Sequence, residues 1–201
     1  MPMSRRLMLA AVTAVPFASA PALALPYEGQ TFADTLNLGG ANLALNGAGK
    51  RAVAGYALYL AALYLPAKAS TPDAIYAQTG PKRLELRITI PLVPDVSTQT
   101  FVDAMNKGVP RNCSAAEQAA VAERVKQFNA HISEVGRVRK GDVLLIDYLP
   151  AQGGTVLTVN GKVFGKPIDG EDFYTAFLKV FIGEQPSDKR LRAGLLGQQA
   201  S

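Results

Sequence analysis

Apolar and polar residues alternate cleanly from Leu84 to Ile90. Leu84, Leu86, Ile88 and Ile90 share one face, and Glu85, Arg87 and Thr89 share the other. A period of two predicts a strand with one face on a core and the other turned away. Pro91 and Pro94 close it. Upstream, Ala41 to Leu45 is a short β-prone stretch that enters Asn46-Gly47-Ala48-Gly49, which reads as a turn. Lys50 to Leu65 follows. In its second half both alternating faces are apolar, Ala57, Tyr59, Ala61 and Leu63 on one and Leu58, Leu60, Ala62 and Tyr64 on the other. That is the pattern of a strand buried on both sides, and Pro66 ends it.

Helical periods appear elsewhere. A short helix is expected from Pro72 and stops by Gly80. Ser97 is a candidate cap for a helix through Lys107, with Gly108 at its end. Ser114-Ala115-Ala116-Glu117 is a capping box, opening a helix with Val121, Val125, Phe128 and Ile132 on one stripe. Val143–Leu149 and Thr155–Val159 predict strands, and Asn160-Gly161 predicts a tight hairpin into Lys162-Val163-Phe164. Glu171 to Ile182 is a helix with Phe173, Phe177, Val180 and Phe181 inward and Gly183 at its C-cap. Ser187 to Leu196 is a last short helix ending at Gly197. Strands joined by hairpins or helical excursions predict an α+β fold: an antiparallel sheet with a layer of helices on one face.

The first residues carry a targeting pattern. Arg5 and Arg6 precede an apolar run from Leu7 to Phe17, and Ala22-Leu23-Ala24 is a small-residue cleavage site. The run falls short of the ~20 residues that cross a bilayer. A signal peptide over 1–24 is therefore expected, leaving one domain over 25–201 in the periplasm or outside the cell. Ser4-Arg5-Arg6 leaves open Sec or twin-arginine export.

The formal charge is +5 over the chain of 201 residues. The basic residues are scattered apart from Arg137-Val138-Arg139-Lys140 and Lys189-Arg190-Leu191-Arg192, and neither cluster is interleaved with aromatics. No nucleic-acid footprint follows, and no second hydrophobic stretch suggests a span in the mature chain. The single cysteine, Cys113, forms no intramolecular disulfide, and the single histidine, His131, flanks its helical stripe as a surface or boundary residue. Neither a zinc site nor a serine triad has enough partners, so no metal or other cofactor is expected. A buried small residue is the expectation for Cys113.

The segments Asn46-Gly47-Ala48-Gly49-Lys50-Arg51 and Tyr59-Leu60-Ala61-Ala62-Leu63-Tyr64-Leu65-Pro66 carry a resemblance. So do Gly141-Asp142-Val143-Leu144-Leu145-Ile146-Asp147-Tyr148-Leu149-Pro150, Val159-Asn160-Gly161-Lys162, and Asp172-Phe173-Tyr174 through Leu195-Leu196-Gly197. In that order they resemble the chalcone isomerase-like family, most closely its exported bacterial branch, over about Phe32 to Gly197. The resemblance implies an open-faced β-sandwich with a ligand cleft between the sheet and its helical layer. The family includes isomerases that close chalcones, fatty-acid binders and non-catalytic partners, so fold alone does not choose among them.

The resemblance implies that Arg51 holds a ligand's anionic oxygen, a task suited to a permanently charged, planar fork of donors. The alternative is a surface arginine paired with an acid. It also implies that Tyr59 occupies the hydroxyl position where the isomerases carry threonine and the fatty-acid binders tyrosine. On one straight strand Arg51 and Tyr59 would be about 26 Å apart, so the pair requires the chain to reverse near Gly55. Asn106 matches a helical asparagine of the enzymes. The enzymes' tyrosine falls at Gln99, or at Phe101 if the alignment slips. Leu58, Leu60, Phe128, Phe173 and Phe177 are candidate lining. These readings favour binding of an amphipathic carboxylate or fatty-acid-like ligand. The alternatives are an isomerase or lyase on a phenolic enone, with Arg51 and Tyr59 catalytic, and a structural or partner-binding protein.

Overall fold

The computed structural model describes residues 24–90 and 93–198. Of the expected signal peptide over 1–24, residues 1–23 lie outside the described residues. The elements are β1 (Ala24–Tyr27), β2 (Gln30–Ala33), β3 (Thr35–Leu38), β4 (Ala41–Val53), β5 (Tyr56–Leu65), α1 (Pro72–Tyr76), β6 (Lys82–Ile88), β7 (Val96–Ser97), α2 (Gln99–Asn112) and α3 (Ala115–Val135). They continue with β8 (Arg137–Val138), β9 (Val143–Leu149), β10 (Gly154–Val159), β11 (Lys162–Ile168), α4 (Glu171–Ile182) and α5 (Lys189–Leu195).

A seven-stranded sheet runs in the order β11-β10-β9-β6-β5-β4-β3, with every pairing antiparallel. Helices α1 to α5 cover one face. Alternation along β5 divides its residues as the sequence predicts: Ala61, Leu63 and Leu65 join the helical core, while Leu60, Ala62 and Tyr64 pack on the opposite face with Phe32, Leu43 and Leu45. That second face is roofed by the β1–β2 hairpin. Glu85 and Arg87 therefore turn away from the main core, as expected, yet Glu85 is buried. Arg87 donates to Glu85 at 2.6 Å and lies 4.1 Å from the centre of the Phe32 ring, which neutralises the carboxylate and covers it.

The helical layer follows its sequence signals. Ser114 and Glu117 complete the capping box of α3, at 3.3 and 2.8 Å. Val121, Phe128 and Ile132 are buried. Phe128 meets Phe173 and Phe177 at ring separations of 5.9 and 5.4 Å, tilted contacts that each add about 1 kcal/mol beyond burial. Cys113 is buried, as expected, and burial pushes its thiol pKa up.

Two expectations need correction. Helix α2 does not stop at Gly108 but runs through it and through Pro110 to Asn112. Glycine stands there because a Cβ would lie 2.5 Å from Cγ1 of Val180, so α4 packs directly against the α2 backbone. Nor is Asn46-Gly47-Ala48-Gly49 a turn; it lies in the middle of β4. The chain reverses at Ala54 and Gly55, with φ of 49° and 83°, the paired positive values of a two-residue hairpin loop.

The glycines of β4 admit α5. A Cβ on Gly47 would lie 2.1 Å from the Gly194 carbonyl oxygen, and one on Gly49 would lie 2.7 Å from that of Leu191. Helix α5 thus lies backbone to backbone on the strand. Asn46 fixes its far end, donating to Leu195 O at 2.8 Å and accepting from Ala69 N at 2.7 Å.

Candidate ligand site

The β4–β5 hairpin contains two register shifts, between Leu45 and Gly47 and between Arg51 and Ala52. The second is a bulge that leaves Leu58 without a partner on β4 and sets Tyr59, rather than Leu58, opposite Arg51. The expected reversal near Gly55 is therefore present, and Arg51 and Tyr59 are a cross-strand pair on the face that meets the helices. Leu58 is held from the other side, its carbonyl accepting from Thr89 N at 3.0 Å.

Arg51 reaches the start of α5. Its Nη1 donates to Ser187 O at 2.8 Å and to Oδ2 of Asp188 at 3.2 Å. The other carboxylate oxygen of Asp188 caps α5, accepting from Arg190 N and Leu191 N at 2.9 and 3.1 Å. The arginine is thus paired with an acid, the alternative left open by the sequence. The pair is single-pronged and longer than the roughly 2.7–2.9 Å of a strong charge-assisted bond. Among the described residues both bonds run through Nη1, leaving Nε and Nη2 without a protein partner.

Beside the pair lies a small apolar cavity of ≈ 30 Å³, walled by Tyr59, Phe101, Met105, Phe128, Phe177 and Phe181, with Ser187 at one side. Tyr59 meets Phe101 in a tilted contact with ring centres 6.0 Å apart. Burial pushes the Tyr59 phenol pKa well up, Asp188 adds to that, and Arg51 opposes it. The phenol is accordingly a neutral group at ordinary pH, able to donate one hydrogen bond and accept others. No carboxylate or histidine lines the cavity. No cluster of His, Cys, Asp or Glu suited to a metal occurs among the described residues.

The remaining candidates fall in different places. Gln99 is exposed and donates to Asp103 at 3.0 Å. Asn106 is exposed and accepts from Asn129 of α3 at 2.8 Å. Neither reaches Tyr59, because the inward face of α2 is set by Phe101, Val102, Met105 and Val109. The side chain that meets Tyr59 from α2 is Phe101. Phe128 and Phe177 line the cavity, Phe173 is core behind it, and Leu60 faces the other side of the sheet. Asp188 and Ser187 were missed; an aspartate directly before a basic helical run is a cap signal that could have found the first.

Residues 24–197 match the model of the chalcone isomerase-like family. The chain belongs to that family. Among solved structures, a fatty-acid binding protein of Arabidopsis thaliana superposes with a TM-score of 0.62 at 14% identity, over 87% of this chain and 96% of that one. At that identity the likeness shows a shared chalcone isomerase-like fold. No curated protein matches the sequence. No helix among the described residues is long and apolar enough to cross a membrane.

Proposed function

We propose that this chalcone isomerase-like protein binds a fatty-acid-like carboxylate between sheet and helices, with its head at Arg51 and Tyr59 and its tail among Phe101, Met105, Phe128 and Phe177. The observation that carries this reading is the bulge-set pairing of Arg51 with Tyr59 at the edge of an aromatic slot. The resemblance to a fatty-acid binder of the same fold supports it. The free nitrogens Nε and Nη2 are where a carboxylate would be received, beside the Tyr59 hydroxyl.

The cavity of ≈ 30 Å³ is well below the roughly 300–1,000 Å³ of small-molecule sites. Binding therefore requires the slot to widen. The first turn of α2, which carries Phe101, is the wall that would move: no acidic residue supports it, and its side-chain cap is a single bond, Ser97 Oγ accepting from Gln99 N at 3.2 Å. An isomerase finds less support, since α2 presents Phe101 to Tyr59 where an enzyme would need a second polar group for the developing enolate.

The Arg51–Asp188 contact favours a second reading, in which Asn46, Gly47, Gly49 and Arg51 serve only to dock α5. Titration with dodecanoate, followed by native mass spectrometry, separates the two. The ligand reading expects a one-to-one complex that Arg51→Gln weakens about 10–100-fold, the value of a hydrogen bond to a charged group. No complex at any concentration, with Arg51→Gln only less stable, leaves the docking role. Export is part of the proposal, and the N-terminal sequence of protein recovered outside the cytoplasm tests for a start near Leu25.

A further inference from the structure

The floor of the aromatic slot can be followed strand by strand. It starts at Tyr59 on β5, opposite Arg51. The next lining residue is Leu86 on β6, the partner of Ala61 and so two residues along from Tyr59. Leu144 on β9 pairs with Leu86 in turn, and Ile146 lies two residues beyond it. No described residue of β10 or β11 lines the slot. Helix α3 packs on those two strands, and its His131 ring fills the space that a Cβ on Gly165 of β11 would take. From there α3 brings Phe128 and Ile132 into the lining. The slot is therefore a diagonal groove that begins beside Arg51 and Ser187. Beyond Leu144 it is stopped by Ile146, Phe128 and Ile132, all buried.

We propose that the slot measures chain length: it takes straight-chain acids up to about twelve carbons and refuses longer ones, with Phe128, Ile132 and Ile146 setting the limit. This rests on the carboxylate reading of the same site. From Arg51 to Leu144 the path crosses three strand spacings of about 4.8 Å and advances two residues of about 3.4 Å, roughly 16 Å in all. An extended chain built of C–C bonds of about 1.5 Å advances about 1.3 Å per carbon, so that path holds about twelve carbons. The stop is held from several sides. Phe128 packs against Phe173 and Phe177. Arg124 clamps α3 to α4 through both carboxylate oxygens of Asp172, at 2.5 and 2.6 Å. Tyr174 of α4 donates to Ile146 O at 3.1 Å. Movement of the first turn of α2 widens the slot beside Phe101 and leaves this end in place. A longer chain must unseat close-packed side chains, which yield little.

The affinities of the unsubstituted chain for octanoate, decanoate, dodecanoate, hexadecanoate and octadecanoate, each below its micelle concentration, test the limit without relying on any variant's folding. Affinity should rise about fourfold per added carbon while the tail is being buried. It should peak near dodecanoate, with hexadecanoate bound about 10-fold more weakly or worse. Ile132→Ala and the milder Ile146→Val should each raise the affinity for hexadecanoate relative to dodecanoate. A climb that continues through octadecanoate would overturn the limit and leave the carboxylate site standing. Binding of none of the acids would overturn both. An unchanged ratio of hexadecanoate to dodecanoate affinity in both variants would overturn the assignment of the stop.

Discussion

Asp188 serves two partners with its two oxygens: Oδ2 receives Arg51 at 3.2 Å, and Oδ1 receives the first amides of α5 at 2.9 and 3.1 Å. One carboxylate thus couples the candidate ligand site to the placement of the C-terminal helix. A ligand carboxylate at Arg51 would compete with Asp188 for the same charge while leaving the helix cap intact.

Removing that carboxylate should loosen α5. Asp188→Ala loses the cap, worth about 1 kcal/mol, and a partly exposed ion pair worth up to about 1 kcal/mol. A loss of about 1–2 kcal/mol is expected in denaturant unfolding. Asp188→Asn keeps a capping oxygen and should cost less than half of that. Equal losses for the two substitutions would place the energy in the charge and not in the cap.

Gly47→Ala tests the docking of α5 on β4. The added carbon would lie 2.1 Å from the Gly194 carbonyl oxygen and 2.7 Å from Gly197 N. Both are backbone atoms, so the helix must move. The expected cost is about 1–3 kcal/mol, with hydrogen exchange rising first in residues 189–195. Unchanged protection there would mean that the strand, and not the helix, yields.

The acid limb of stability should contain Glu117. Lys179 at 2.6 Å and the amide and hydroxyl of Ser114 hold its pKa down, at about 2. A depressed carboxylate stabilises the fold above its unfolded value of roughly 4.3 and loses that contribution as pH falls through its folded value. The melting temperatures of the native chain and of Glu117→Gln should therefore differ most near neutral pH and converge as pH approaches 2. A constant gap across that range would contradict the linkage.

Much of the fold was legible because its causes are local. The alternation of Leu84 to Ile90, the Ser114–Glu117 box and the Asn160-Gly161 turn each carry their own signal, and each element is present. The misread segments have distant causes. Gly47 and Gly49 imitate a turn, but they are glycine because α5, about 145 residues later in sequence, comes to rest on them. Gly108 imitates a helix end for the same kind of reason, the approach of Val180. Glu85 faces away from the main core, yet only the Phe32 hairpin decides that it is buried.

The site divides along the same line. Equal parity of positions 51 and 59 and a pivot at Gly55 could be read from the chain, although the bulge at Leu58 that makes the pairing real could not. Gln99 and Asn106 were placed by alignment, without the helical phase that turns Phe101 and Met105 inward instead. Asp188 lies 137 residues from Arg51, and nothing near Arg51 announces it.

The most direct test is the affinity of the native chain, Arg51→Gln and Asp188→Asn for dodecanoate, set beside dodecanol of equal chain length. Arg51 as the receiver of a carboxylate, with Asp188 as its internal competitor, predicts that Asp188→Asn binds dodecanoate more tightly and Arg51→Gln more weakly, with dodecanol little changed by either. Identical dodecanoate affinities in all three proteins, or parallel changes for acid and alcohol, would contradict it.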